Sequence, residues 1–140
     1  MTDVVERFKR YYEIYDPDTL DDLDAVYSDD IEFRDPIHTL SGRIEVKAYL
    51  RDMARNLNSC RFFYLDEQVM PGVAFIKWNM HFSHPKLAGG KEVMVRGITE
   101  VRFNERIYYH EDFYDMGAMV YEHVPLLGRL VQWLRRRLAP

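Results

Sequence analysis

The sequence predicts an α+β domain shaped as a cone. A curved antiparallel sheet would carry N-terminal helices in its concavity, and an amphipathic helix would follow at the C-terminus. Three observations carry this prediction. Apolar residues recur at helical spacing over 3–15, 19–27 and 43–58. Past residue 58 the period changes, and four long consecutive segments are rich in Phe, Tyr, Val and Ile. Helical spacing returns over 118–138.

Each element has its own warrant. Val4, Val5, Phe8, Tyr11, Tyr12 and Tyr15 make one face of a first helix. Asp16-Pro17-Asp18 ends it, because proline lacks the amide hydrogen and disfavours a helical residue before it. Thr19 can cap a second helix, with Asp22 three residues on and Leu20, Leu23, Val26 and Tyr27 as its buried stripe. Ile31 to Arg34 reads as a short strand. Ser41-Gly42 precedes a third helix over 43–58, with Ile44, Val46, Tyr49, Leu50, Met53 and Leu57 apolar.

The four strands are expected at 60–70, 73–84, 91–103 and 106–115. Pro71-Gly72, the segment from Pro85 to Gly90, and Asn104-Glu105 supply the turns between them. Consecutive long strands favour an antiparallel meander. Helices held in the concavity of a strongly curved sheet leave a cone, which is a ready ligand pocket.

Composition bounds the function. A chain of 140 residues is the size of one domain, so residues 1–140 are expected to fold as a single unit. Apolar residues are 47% and aromatics 14%, enough for a sizeable core. A lone cysteine, Cys60, excludes an internal disulfide framework. The N-terminus has no signal pattern, and no apolar run approaches the roughly 20 residues of a membrane span, so a cytoplasmic protein is expected.

The net charge of −4 argues against general nucleic-acid binding. It also hides an asymmetry. Residues 123–140 hold Arg129, Arg135, Arg136 and Arg137 and no acid, which leaves fifteen basic and 23 acidic groups elsewhere, a net −8. This basic segment has Val124, Leu127, Val131, Leu134 and Leu138 at helical spacing, widened by Leu126, Leu130 and Trp133. Pro125 places the start of its regular part nearby. Its apolar stripe can dock on the domain's own sheet, on a partner subunit, or on an anionic membrane surface.

The segment Ser28 to Gly42 holds the first chemical candidate. Asp35 follows a short apolar strand and precedes Pro36. A carboxylate where a strand opens into a pocket can carry a proton; the same Asp-Pro pair can simply order a turn. Further along, His110, Asp112 and Tyr114 alternate along one strand and share a face. A His and a carboxylate two apart can form a proton relay or line a polar pocket. No third metal ligand accompanies them, and His81 and His84 point to opposite faces. Trp78 and His81 cannot both face the cone, because their separation is odd.

The element order, with Asp-Asp-Ile-Glu-Phe-Arg-Asp-Pro after the second helix, resembles the nuclear transport factor 2-like superfold, and its SnoaL-like and ketosteroid isomerase-like branches in particular. Val101-Arg102-Phe103-Asn104 and His110-Glu111-Asp112-Phe113-Tyr114-Asp115 carry the same resemblance. In the isomerases the Asp of the Asp-Pro segment is the general base, so the resemblance assigns that place to Asp35. It assigns the oxyanion donor of the first helix to Tyr11. The second oxyanion donor, an acid in the isomerases, falls here on Thr99, and Glu100 faces the other way.

The limonene epoxide hydrolases use an Arg-x-Asp pair on a central strand. That strand here reads Lys77-Trp78-Asn79-Met80-His81, without the pair. SnoaL-like cyclases use a pocket Asp on a late strand, a place that Asp112 fills.

The resulting expectation is a pocket protein for an apolar or ring-containing small molecule, with isomerase- or cyclase-type proton transfer. Asp35 would be the base, Asp112 with His110 the second proton carrier and Tyr11 the donor. Tyr15, Phe33, Trp78, Thr99 and Tyr114 would line the ligand. No cofactor and no metal are implied, and a homodimer through the open sheet face is expected. The competing expectation is a non-catalytic module whose basic C-terminal helix contacts a membrane or a partner protein.

Overall fold

The computed structural model describes residues 2–13 and 15–139. Helix α1 (Thr2–Glu13) buries Val4, Val5, Phe8, Tyr11 and Tyr12, the face that the sequence spacing marks. The second helix differs from expectation. It is a 3-10 helix over Pro17–Ala25, capped by Asp16, whose carboxylate accepts the Asp18 amide at 2.8 Å. The four aspartates at 18, 21, 22 and 24 explain the difference, because Asp competes for backbone hydrogen bonds and is a poor helix former. Leu20 and Leu23 are buried and three apart, the period at which 3-10 side chains eclipse.

Strand β1 (Tyr27–Arg34) begins four residues before the apolar run suggested. Strand β2 (Thr39–Ser41) and helix α2 (Arg43–Asn56) follow it. The four long strands are β3 (Ser59–Met70), β4 (Val73–Ser83), β5 (Val93–Phe103) and β6 (Ile107–Tyr114), within two residues of their expected bounds. One six-stranded sheet results, in the order β2-β1-β6-β5-β4-β3. All pairs are antiparallel except β1 with β6, which run parallel with Phe33 beside His110. This pairing brings the Asp35 end of β1 next to the His-x-Asp strand.

The register shifts on β3 between Tyr64 and Asp66 and on β5 between Arg102 and Phe103. Such irregularities bend a strand and strengthen its twist. The concave face carries two apolar clusters. One joins α1, the 3-10 helix and α2 to the sheet, and the other gathers Trp78, Met80, Phe82, Val93, Val95 and Met119. A Cβ at Gly97 would lie 2.2 Å from the Trp78 ring, so this glycine lets the indole lie flat across β5.

The C-terminal segment is broken rather than continuous. Helix α3 (Met116–Met119) and a 3-10 turn over Tyr121–His123 precede α4 (Leu127–Leu138). Pro125 and the positive φ of Leu126, 71°, interrupt the helix that the spacing placed over 118–138.

Candidate functional site

A cavity of about 70 Å³ lies in the concavity between the two apolar clusters. Phe33 comes from β1 and Asp35 from the turn just after it, Tyr49, Leu50 and Met53 from α2, and Trp78, Met80, Asp112 and Tyr114 from the sheet. Tyr12, Tyr15 and Met119 complete much of the wall. Both expected carboxylates therefore open into one space.

Asp35 is held by local structure. Its Oδ1 accepts the amide hydrogens of Ile37 at 2.8 Å and His38 at 2.7 Å, an Asx-type turn just past the strand. Its Oδ2 accepts the Tyr49 hydroxyl at 2.6 Å. The side chain is 4% exposed. The turn role and the pocket role thus coexist on different oxygens. Burial, and then the Asp35 carboxylate, push the Tyr49 phenol well above its ordinary range, so it stays a neutral donor.

Asp112 is held by distant partners. Its Oδ1 accepts the Thr99 hydroxyl at 2.6 Å and lies 2.8 Å from His110 Nε2. Thr99 Oγ1 in turn accepts the Trp78 indole N–H at 2.7 Å. An indole can only donate, so the single Thr99 hydrogen goes to Asp112. Thr99 sits behind the main cavity with its hydrogen engaged, and it gives no donor to the oxyanion place that the resemblance assigned to it.

His110 also stands behind the cavity, 2% exposed, its ring 4.5 Å from that of Phe33. Its Nδ1 is 2.7 Å from the Tyr27 hydroxyl, which is 2.7 Å from the Tyr12 hydroxyl. The path Tyr12–Tyr27–His110–Asp112 leaves the cavity at one end and returns to it at the other. With a neutral imidazole carrying its hydrogen on Nε2, each hydroxyl hydrogen points toward Asp112. With an imidazolium, both ring nitrogens donate, Tyr27 turns to donate to Tyr12, and the Tyr12 hydrogen is released. Burial raises both phenols well above their ordinary range, so they carry hydrogens rather than charge.

Tyr11 lies elsewhere. It faces a surface depression with Arg7, Arg10 and Asp22, and its hydroxyl is buried without a partner. Successive helical residues are turned by about 100°. A one-residue offset therefore exchanges the cavity face for another, and Tyr12 is the helix tyrosine at the cavity. Tyr15 also lines it and donates to the Leu50 carbonyl. Trp78 faces inward, whereas His81 faces out, 3.1 Å from Glu92.

Tyr49 and Tyr64 are residues that sequence reasoning passed over. Tyr49 lies within the apolar stripe of its helix, where a phenol cannot be told from a core side chain. Tyr64 has a buried, unpartnered hydroxyl and borders a void of about 10 Å³ shared with Tyr12, Thr99, His110 and Asp112. Cys60 lines the main cavity, but burial pushes its thiol up to about 12, so it is no nucleophile near neutrality. Among the described residues no three His, Cys, Asp or Glu side chains cluster as metal ligands.

The cavity is small. An engineered cavity that holds benzene measures about 150 Å³. A ring-containing ligand therefore requires wall movement, and Met53, Met80 and Met119 are the adaptable side chains there.

Comparison with known proteins agrees with this architecture. The SnoaL-like domain profile matches residues 8–110. No curated sequence matches the chain. An NTF2-like protein of unknown function from Burkholderia pseudomallei superposes with a TM-score of 0.73 at 18% identity, covering 85% of this chain and 95% of that one. A protein with a ketosteroid isomerase-like fold from Catenulispora acidiphila, in complex with trimethylamine, gives 0.73 at 15% identity, covering 86% and 90%. TerC, co-crystallised with polyporic acid, gives 0.70 at 13% identity, covering 83% and 94%. At these identities the likeness establishes the fold.

Proposed function

The chain belongs to the SnoaL-like family, and we propose that it binds a small apolar or ring-containing molecule in the cone and moves a proton on it. The observation that carries this reading is that Asp35, in the turn after β1, and Asp112, on β6, line the same largely apolar cavity. An apolar wall with a few convergent polar groups is the usual composition of a small-molecule site. Small-molecule complexes of two structural neighbours, with trimethylamine and with polyporic acid, support it by analogy of fold.

Asp35 is the base in this reading. Its turn amides and Tyr49 hold it in place. Asp112 is the second proton carrier, and His110 positions it from behind. Tyr12 takes the cavity place that the resemblance gave to Tyr11, and its hydroxyl becomes a donor to the ligand in the arrangement where Tyr27 donates to it. Isomerisation or cyclisation of a carbonyl compound needs this set: a base for a proton next to the carbonyl, a donor near the oxygen, and a second carrier. The outer sheet face, with Phe63, Phe75, Ile98 and Phe113 exposed, is the surface for a homodimer. A cytoplasmic location completes the proposal.

The test is deuterium incorporation from D₂O into a panel of cyclic ketones, followed by NMR. The full chain accelerates exchange next to the carbonyl, and Asp35→Asn slows it by about 10²–10⁴-fold. Absence of exchange with every ketone, joined to absence of any ligand-induced shift in the Trp78 and Tyr49 resonances, overturns the reading. Ligand-induced shifts without exchange reduce it to binding alone.

A further inference from the structure

Helix α4 lies beyond the family match at residues 8–110 and outside both apolar clusters. It packs on the preceding turn, and that packing fixes its roll. Gly128 is buried so closely on the Glu122 backbone that a Cβ would come within 2.5 Å of the Glu122 carbonyl oxygen. Arg135 donates to Glu122 at 2.8 Å and to Asp115 at 2.7 Å and 2.9 Å. With that side held, Leu130, Trp133 and Leu134 lie on the far side, and Leu138 is exposed at the helix end. Leu130 is 52% exposed, Trp133 49%, Leu134 44% and Leu138 83%.

Arg129 and Arg136 border this ridge on the Trp133 side, and Arg137 rises between Trp133 and Leu130. Arg129, Arg136 and Arg137 are exposed, and among the described residues they have no ion pair. Arg137 lies over the Trp133 ring at 5.5 Å. No acid occurs from 123 to 139. The ridge thus asks for an occupant that accepts apolar side chains and surrounds them with negative charge.

A second copy of the chain offers no such surface. Its apolar outer sheet face is studded with Arg61, Lys77, Arg96 and Arg102. Of the acids there, Glu100 pairs with Arg102 at 2.8 Å, Glu111 accepts from Tyr109 and Glu92 lies 3.1 Å from His81. Its acidic surface at the 3-10 helix is polar, and Asp21 and Asp24 already pair with Lys47.

We infer that α4 is a peripheral membrane-binding helix that lays Leu130, Trp133 and Leu134 into the interface of an anionic lipid bilayer, with Arg129, Arg136 and Arg137 at the headgroups. A basic amphipathic helix with Trp and Leu on its apolar face lies in the interface plane in this way. No described helix is long and apolar enough to cross a membrane. This inference is independent of the chemistry of the cavity.

The experiment is flotation of the full chain with phosphatidylcholine vesicles and with phosphatidylcholine–phosphatidylserine vesicles. The protein floats with the second and not the first, and salt weakens binding. Replacing Arg129, Arg136 and Arg137 by Ala weakens it on the order of 100-fold, at about fivefold per arginine. Arg135 is kept so that the anchor to Asp115 and Glu122 survives. Leu130→Asp with Trp133→Asp abolishes flotation while the circular dichroism spectrum is unchanged. Failure to float with the anionic vesicles overturns the inference, as does flotation equal in wild type and both variants. A shift in oligomeric state on Leu130→Asp with Trp133→Asp, without vesicle binding, assigns the ridge to a protein contact and overturns it as well.

Discussion

Asp35 and Asp112 line one cavity but are held in opposite ways. Asp35 is fixed by two amides within three residues of it and by one tyrosine of α2. Asp112 is fixed by side chains of β5 and β6, themselves fixed by Trp78 on β4, Tyr27 on β1 and Tyr12 on α1. The first carboxylate is seated by a turn that forms from adjacent residues. The second is seated only when the whole concave face is assembled. A buried polar chain of this kind is rigid when every member is satisfied and fragile when one is lost.

That contrast can be broken by alkali first. The phenols of Tyr12 and Tyr27 in the Asp112 chain, and of Tyr49 beside Asp35, are all raised by burial. In the unfolded chain they ionise near the ordinary value of about 10. The unfolded state then loses protons that the folded state retains, so stability falls as pH rises above about 10. Each such tyrosine steepens the fall by about 1.4 kcal/mol per pH unit, about 4 kcal/mol for the three. Urea titrations at rising pH measure the slope. Tyr27→Phe must flatten it by one tyrosine's share; an unchanged slope means that Tyr27 is not held as a buried phenol.

Removing single partners sharpens the comparison. Thr99→Val strands the Trp78 N–H and takes a donor from Asp112, at a cost of about 2–4 kcal/mol in urea unfolding. Asp35→Ala removes the acceptor of two turn amides and of the Tyr49 hydroxyl, of which water can replace only the exposed Ile37 bond, and costs about 1–2 kcal/mol. If the Asp35 variant is the less stable of the two, the distinction between local and assembled seating is lost. Asp35→Asn keeps an acceptor for the turn amides and costs under about 1 kcal/mol, so its effect on exchange reads chemistry rather than folding. Tyr11→Phe, which deletes a buried hydroxyl without a partner, stays within about 0.5 kcal/mol of wild type, and a larger loss would show that the hydroxyl has a function.

The same division decides what could be read beforehand. The long strands were legible because alternation and turn residues are local signals, and β3 to β6 fall where these signals place them. Asp35 was legible because Asp-Pro after a strand is itself a local pattern. The shared inward face of His110 and Asp112 followed from the two-residue period. The proton-bearing chain behind them did not, because Tyr27 and His110 are 83 residues apart and meet through a parallel pairing that no periodicity announces. Tyr11 and Tyr12 differ by one helical step, and both sit in the same apolar run. Only packing against Phe62 and His110 selects Tyr12 for the cavity side.

The sequence by itself determined the bounds of the four long strands, the sites of the first and third helices, the turn around Asp35 and the basic amphipathic character of residues 123–140. These rest on backbone propensity, side-chain period and charge, which act over a few residues. The tertiary structure alone decided that Asp35 and Asp112 share a cavity, that Thr99 gives its hydrogen to Asp112, that Tyr12 rather than Tyr11 borders the cavity, and that the ridge of α4 is exposed. Each of these depends on which distant groups are left close together once the curved sheet buries its apolar face, and no local signal encodes that distance.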